Sequence, residues 1–124
     1  MVILVVFLGG GIGSVCRYLL GELVQSRARV EFPLATLIVN VVGCVAIGFL
    51  AKYFLHEQSG SLARTALIVG FCGGFTTFSA FSLDTLGLLT GGKPGTALTY
   101  MAASIVLCLL GTTAGYALGP SVNR

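Results

Sequence analysis

Four apolar runs, Val2–Leu23, Pro33–Leu55, Leu62–Leu89 and Thr96–Leu118, take up 96 of the 124 residues. Each reaches the roughly 20 residues that a helix needs to cross a bilayer. The links between them are too short to hold a soluble domain. Charged residues make up 9% of the chain, against about 25% in soluble domains. The pattern predicts an all-α membrane protein, with residues 1–124 forming one domain of four transmembrane helices. The first run has no basic residue before it and continues well past the apolar core of a signal peptide, so it reads as a span. Gly13-Ser-Val-Cys16 lacks the small residue expected just before a lipoprotein cysteine.

The third run departs from ordinary membrane-helix composition. Its centre reads Gly70-Phe-Cys-Gly-Gly-Phe-Thr-Thr-Phe-Ser-Ala-Phe81. Gly and Thr are both weak helix formers. Irregular backbone at bilayer depth survives only where protein or a wet cavity surrounds it. One reading is a third helix broken near its middle, at Gly73–Thr77, with freed backbone groups facing something polar. The other is an unbroken helix with a Gly/Thr packing face. Phe71, Phe75, Phe78 and Phe81 fit helical spacing, and so also fit an aromatic packing face.

Polar residues in the other spans fall into stripes. Thr36, Asn40, Gly43/Cys44 and Gly48 share one face of the second span. Asn40 is its deepest fully polar side chain, placed either to bond another helix or to face water or a ligand. Tyr100, Ser104, Cys108 and Thr112 recur every four residues in the fourth span, with Gly111, Gly115 and Gly119 on an adjacent face. The first set reads as a hydroxyl track, although Tyr100 also suits an aromatic belt. The second set reads as a helix contact, as do Gly9 and Gly13 in the first span. Gly9–Gly13 lacks the Lys-Ser/Thr that a phosphate loop needs. Arg17 lies near the end of the first span, where it either snorkels to headgroups or gives a pore entrance positive potential.

Several functional classes drop out. No nucleophile–base pair, acid pair or metal cluster is spaced for chemistry, so the chain does not read as an enzyme. Cys16, Cys44, Cys72 and Cys108 all fall in spans without CxxC spacing or a nearby histidine, and read as small packing residues. His56, beside Glu57, reads as a solvated loop residue. The net charge of +3 comes from scattered basic residues rather than a patch, which argues against nucleic acid. Asp84 reads as lying near a membrane interface, since a central carboxylate would be expensive, and no titratable relay occupies a span centre. That favours a passive pore. Neutral donors on Asn40, Tyr100, Ser104 and Thr112, with phenyl edges that carry positive charge, suit a small anion without naming it.

The basic residues are nearly balanced across the membrane. Lys52, Arg64 and Arg124 fall on the side of the N-terminus; Arg27, Arg29 and Lys93 fall on the other, with Arg17 close to it. Such balance gives no positive-inside bias. It predicts insertion in both orientations and an antiparallel, dual-topology dimer. Four short helices enclose little volume, so a pore calls for two subunits.

Three segments together carry a family likeness: Gly9-Gly-Gly-Ile-Gly-Ser-Val-Cys-Arg-Tyr18, Pro33-Leu-Ala-Thr-Leu-Ile-Val-Asn-Val-Val-Gly43 and Gly73-Gly-Phe-Thr-Thr-Phe-Ser-Ala-Phe81. In this order, in a four-span chain of this length, they resemble the Fluc fluoride channels, also called CrcB. The resemblance implies a fluoride-selective passive channel in a prokaryotic plasma or inner membrane, exporting fluoride from the cytoplasm and lowering its toxicity. It implies pairing with an inverted second copy in the lipid bilayer, and two pores. It gives Asn40, Phe78, Phe81, Tyr100, Ser104 and Thr112 to the fluoride pore and Arg17 to the vestibule. It also gives the backbone carbonyls of Gly73 and Thr76 to a structural Na+ at the dimer centre. Ala80, Asp84 and Cys108 depart from the family's usual Thr or Ser, Glu and hydroxyl. Two other classes fit less well. A small dual-topology multidrug or cation transporter would want a carboxylate deep in its first span, and a structural subunit would need no polar stripes.

Overall fold

The structure, a computed structural model, describes residues 1–28, 30–55 and 61–120. The expectations placed on Arg29, His56, Glu57 and Arg124 lie outside these residues. The described residues hold helices and no strand. Helix α1 is Val2–Arg27 and α2 is Leu34–Tyr53. The third span is split into α3, residues 62–75, and α4, Phe78–Thr90. The last helix, α5, is Pro94–Leu118. All four spans are long and apolar enough to cross a membrane.

Helices α1 and α5 extend beyond their apolar runs into polar sequence. Helix α1 continues a turn past Leu23, so the first loop begins at Ala28 instead of Gln25. Helix α5 starts two residues early because Pro94 takes its first turn, where a missing N–H costs nothing. The preceding link is tight. Lys93 N–H donates to the Leu88 carbonyl at 2.9 Å and Gly92 N–H to that of Leu89 at 3.1 Å. This Schellman closure needs the left-handed backbone that Gly92 supplies at φ 73°. Lys93 also pairs with Glu31, joining the first and third loops. The hydrogen bond and the ammonium charge hold the Glu31 carboxyl below its ordinary range.

Glycine sets the packing. A Cβ on Gly9 would meet the Ala66 carbonyl, and one on Gly13 the Phe71 carbonyl. Helices α1 and α3 therefore run with their backbones nearly touching. Gly48, Gly111 and Gly115 do the same for α2 and α5. Gly111 faces Val41 and Val45, Gly115 faces Val45, and Gly48 faces the Thr112 backbone. Both small-residue stripes are helix contacts, as their spacing predicts. Leu37, Leu88, Ala97 and Tyr100 form a buried cluster at one end, with Phe32 and Phe81 against it.

The third span is indeed broken, but not over the whole of Gly73–Thr77. Gly73–Phe75 remains helical, and the extended residues are Thr76 and Thr77. The glycines serve close approach instead: a Cβ on Gly74 would meet the Gly10 backbone. Before the break, Thr65–Cys72 winds as a wider π-helix, which no sequence pattern marks.

Candidate functional site

The break leaves backbone groups that must find partners inside the bilayer. Side chains from two other helices supply them. Asn40, on α2, accepts from Thr77 N–H at 2.8 Å and donates to the Thr77 carbonyl at 3.0 Å. Arg17 Nη1, on α1, reaches the Thr76 carbonyl at 3.3 Å, and Ser14 Oγ reaches that of Gly74 at 3.4 Å. Thr77 Oγ1 caps α4 by accepting from Ala80 N–H at 3.1 Å. Arg17 thus turns inward to the break instead of snorkelling outward.

Two clefts meet at Thr77. The first, of about 320 Å³, is lined by Asn40, Phe78, Phe81 and Ser104, together with Cys44 and Cys108. The second, of about 440 Å³, is lined by Arg17, Thr36, Thr77 and Ser79. Phe78 and Phe81 stand 5.2 Å apart between ring centroids, tilted 40°. Phe81 lies 5.3 Å from the ring of Tyr100.

The Ser104 hydroxyl is the odd group in the first cleft. Ser104 is 7% exposed, and its Oγ has no hydrogen-bond partner. A buried hydroxyl without a partner is costly, and a guest in the cleft would receive its hydrogen bond.

Tyr100 is fully buried. Its hydroxyl donates to Asp84 Oδ2 at 3.3 Å, and Thr36 Oγ1 donates to the same oxygen at 2.6 Å. Asp84 therefore faces into the bundle, held by two neutral donors. It stands at the middle of α4, six residues from either end. Local spacing does not reveal its partners, because Thr36 is 48 residues away.

The hydroxyl track is shorter than its periodicity. Ser104 and Cys108 line the cleft, and Tyr100 touches it through Phe81. Thr112 does not reach it: its hydroxyl donates back to the Cys108 carbonyl at 3.1 Å, and its backbone packs on Gly48. Gly73 lies apart from both clefts, on the exposed side of the third span, with open space where a Cβ would be. Its carbonyl would bond Thr77 N–H in a continuous helix, and that N–H is committed to Asn40. Thr77 and Cys44 line the site without standing out as pore residues in the sequence. The stripe containing Cys44 and the paired threonines are the only signals pointing to them.

The comparisons cover nearly the whole chain. A family model described as CrcB-like protein, Camphor Resistance (CrcB), matches residues 4–116. The chain belongs to the CrcB family. A CrcB relative from Rhizobium meliloti is 49% identical over 117 residues, 94% of each chain. One from Thermus thermophilus is 47% identical, covering 94% of this chain and 93% of its own. One from Coxiella burnetii is 38% identical, covering 96% and 98%. All three are named fluoride-specific ion channel FluC. With four spans, this CrcB chain is a multi-pass prokaryotic membrane protein.

Proposed function

We propose that the chain is a passive, fluoride-selective channel that lets fluoride leave the cytoplasm. Relatives of nearly equal length carry that name. The observation that carries the reading in this chain is the unpartnered Ser104 hydroxyl beside Phe78, Phe81 and Asn40. A small, strongly hydrated anion that sheds water needs donors in return. Ser104 offers one, and ring edges add positive quadrupole. No carboxylate lines that cleft to repel it.

Arg17 gives the second cleft a positive charge that draws anions toward Thr77. From there Asn40 and the phenylalanines lead into the first cleft. Ser104 lines the wall, Tyr100 backs it through Phe81, and Thr112 contributes by packing α2 on α5.

The working unit in this reading is an antiparallel dimer in a plasma or inner membrane. Near-equal basic charge on the two sides supports it, as does Phe78, a pore candidate left 78% exposed by a single chain. The reading includes a structural Na+ at the two-fold. The carbonyl of exposed Gly73 has lost its helical partner, and the Thr76 carbonyl keeps a second lone pair beside its Arg17 contact. Two carbonyls from each chain would hold it, and it would tie the two breaks together.

The deciding experiment is fluoride efflux from liposomes containing the purified dimer, followed with a fluoride electrode. Fluoride should leave and chloride should stay. Efflux no faster than from empty liposomes would overturn the reading. A small multidrug or cation transporter is not favoured: the one carboxylate of α1, Glu22, is exposed near its end.

A further inference from the structure

We propose that Cys44 and Cys108 form a two-thiol clamp for a soft, thiophilic cation of the Cu+, Ag+ and Hg2+ class, seated in the first cleft. The thiols come from two helices, α2 and α5, and line the same cavity. Neither is in a disulfide. The close contact of these helices brings the thiols together. Cys44 Cβ lies 3.6 Å from where a Cβ on Gly111 would stand, and Cys108 is one turn before Gly111 on the same helix. The two side chains are within interaction range of each other.

The surroundings select the class of ion. Ile47, Ile105, Phe78 and Phe81 supply an apolar wall, and the cleft contains no carboxylate. A hard cation would find too few oxygens there, whereas thiolates bind soft ions strongly. Among the described residues no third Cys, His, Asp or Glu joins to make a three-ligand site. The clamp therefore suits ions content with two sulfur ligands in a line. Binding needs no oxidant. Each thiol releases one proton and forms one S–metal bond, so Hg2+ gives a neutral S–Hg–S bridge and two protons.

A bridge here would lie beside Asn40 and Ser104 and plug the path. That consequence rests on the channel reading; the clamp itself does not.

The probe is HgCl2, added at one equivalent per chain to the purified full-length protein. The metal is then challenged with excess glutathione, and the free thiols are counted by maleimide mass shift after unfolding. The wild-type protein should lose two of its four free thiols and regain them only with a dithiol such as dithiothreitol. Cys44→Ser and Cys108→Ser should each surrender the metal to glutathione, whereas Cys16→Ser should keep the bridge. Loss of a single thiol in the wild type, or metal kept equally by Cys44→Ser and Cys108→Ser, would overturn the clamp. In liposomes, Hg2+ should arrest fluoride efflux in the wild type and dithiothreitol should restore it. The treated-to-untreated ratio should stay near one in the two serine variants. A bridged protein that still conducts would keep the clamp and overturn the plug. A protein that never conducts counts against the channel reading, and the thiol count still decides the clamp.

Discussion

Asn40 and Thr77 are joined by two hydrogen bonds, one to the N–H and one to the carbonyl of the same backbone residue. The amide is therefore both a wall of the first cleft and the staple of the break. Asn40→Asp keeps the acceptor, loses the donor, and sets a carboxylate against the Thr77 carbonyl and in the path of an anion. Fluoride efflux should fall by about tenfold or more, equivalent to about 1.4 kcal/mol on the barrier. Stability in detergent should fall by about 1–3 kcal/mol as a buried partner is lost. Wild-type efflux in this variant would return Asn40 to a purely structural role.

The two phenylalanines should separate conduction from folding. Phe81 packs on buried Tyr100, but Phe78 is largely exposed in a single chain. Phe78→Ile removes the ring quadrupole and little internal packing, so efflux should drop while thermal unfolding of the chain hardly moves. Phe81→Ile should lower both. If efflux through Phe78→Ile is unchanged, the rings do not serve the anion.

Much of this architecture is legible in the order of the amino acids. The spans follow from hydropathy, and the glycine contacts follow from fourfold spacing, because a missing Cβ has one geometric use between helices. Composition marks the break but draws it too wide. Gly73 and Gly74 look like its weakest residues, yet Gly74 is needed for contact with Gly10, and the extended residues are Thr76 and Thr77, which Arg17 and Asn40 reach. Thr112 has the same periodicity as Ser104, but Thr readily bonds the carbonyl four residues earlier. The inward turn of Arg17 and the Thr36–Asp84–Tyr100 contact depend on pairing across spans, which a local pattern does not encode.

Glycine substitutions should sort by what a Cβ would meet. At Gly13 or Gly115 it would run into the backbone of the facing helix. Alanine at either should destabilise the protein by about 1–3 kcal/mol. Gly11 and Gly21 have open space at that position. Alanine there should be neutral or stabilising by up to about 1 kcal/mol through helix propensity. Thermal aggregation of the four variants in detergent measures the order. Equal behaviour of Gly13→Ala and Gly11→Ala would contradict the close packing of α1 on α3.

Orientation should respond to a few charges. Lys52 and Arg64 nearly offset Arg27 and Lys93, so inserting two or three lysines between Leu55 and Ser61 should fix one topology. Expressed alone, that chain should give no fluoride efflux. Coexpression with a copy carrying Lys52→Gln and Arg64→Gln should restore it. Full activity of the lysine-biased chain by itself would eliminate the antiparallel dimer.

Gly73→Ala tests the dimer centre from the opposite direction to the packing glycines. Within one chain nothing stands in the way of the added methyl. Gly73 is helical, with φ −64° and ψ −38°, so alanine suits its backbone. The folded single chain should therefore tolerate the change, and any loss must arise from a neighbour. If the Gly73 carbonyls of two inverted chains share a Na+ at the two-fold, a methyl beside each carbonyl crowds that centre. Gly73→Ala should then keep its helicity yet dissociate in size-exclusion chromatography. The wild-type dimer should weaken when N-methylglucamine replaces Na+. Neutral replacement of Thr76 by Val, which removes its hydroxyl but keeps its carbonyl, should leave Na+ dependence in place. A Gly73→Ala dimer as tight as the wild type, together with indifference to Na+, would remove the ion from the dimer centre.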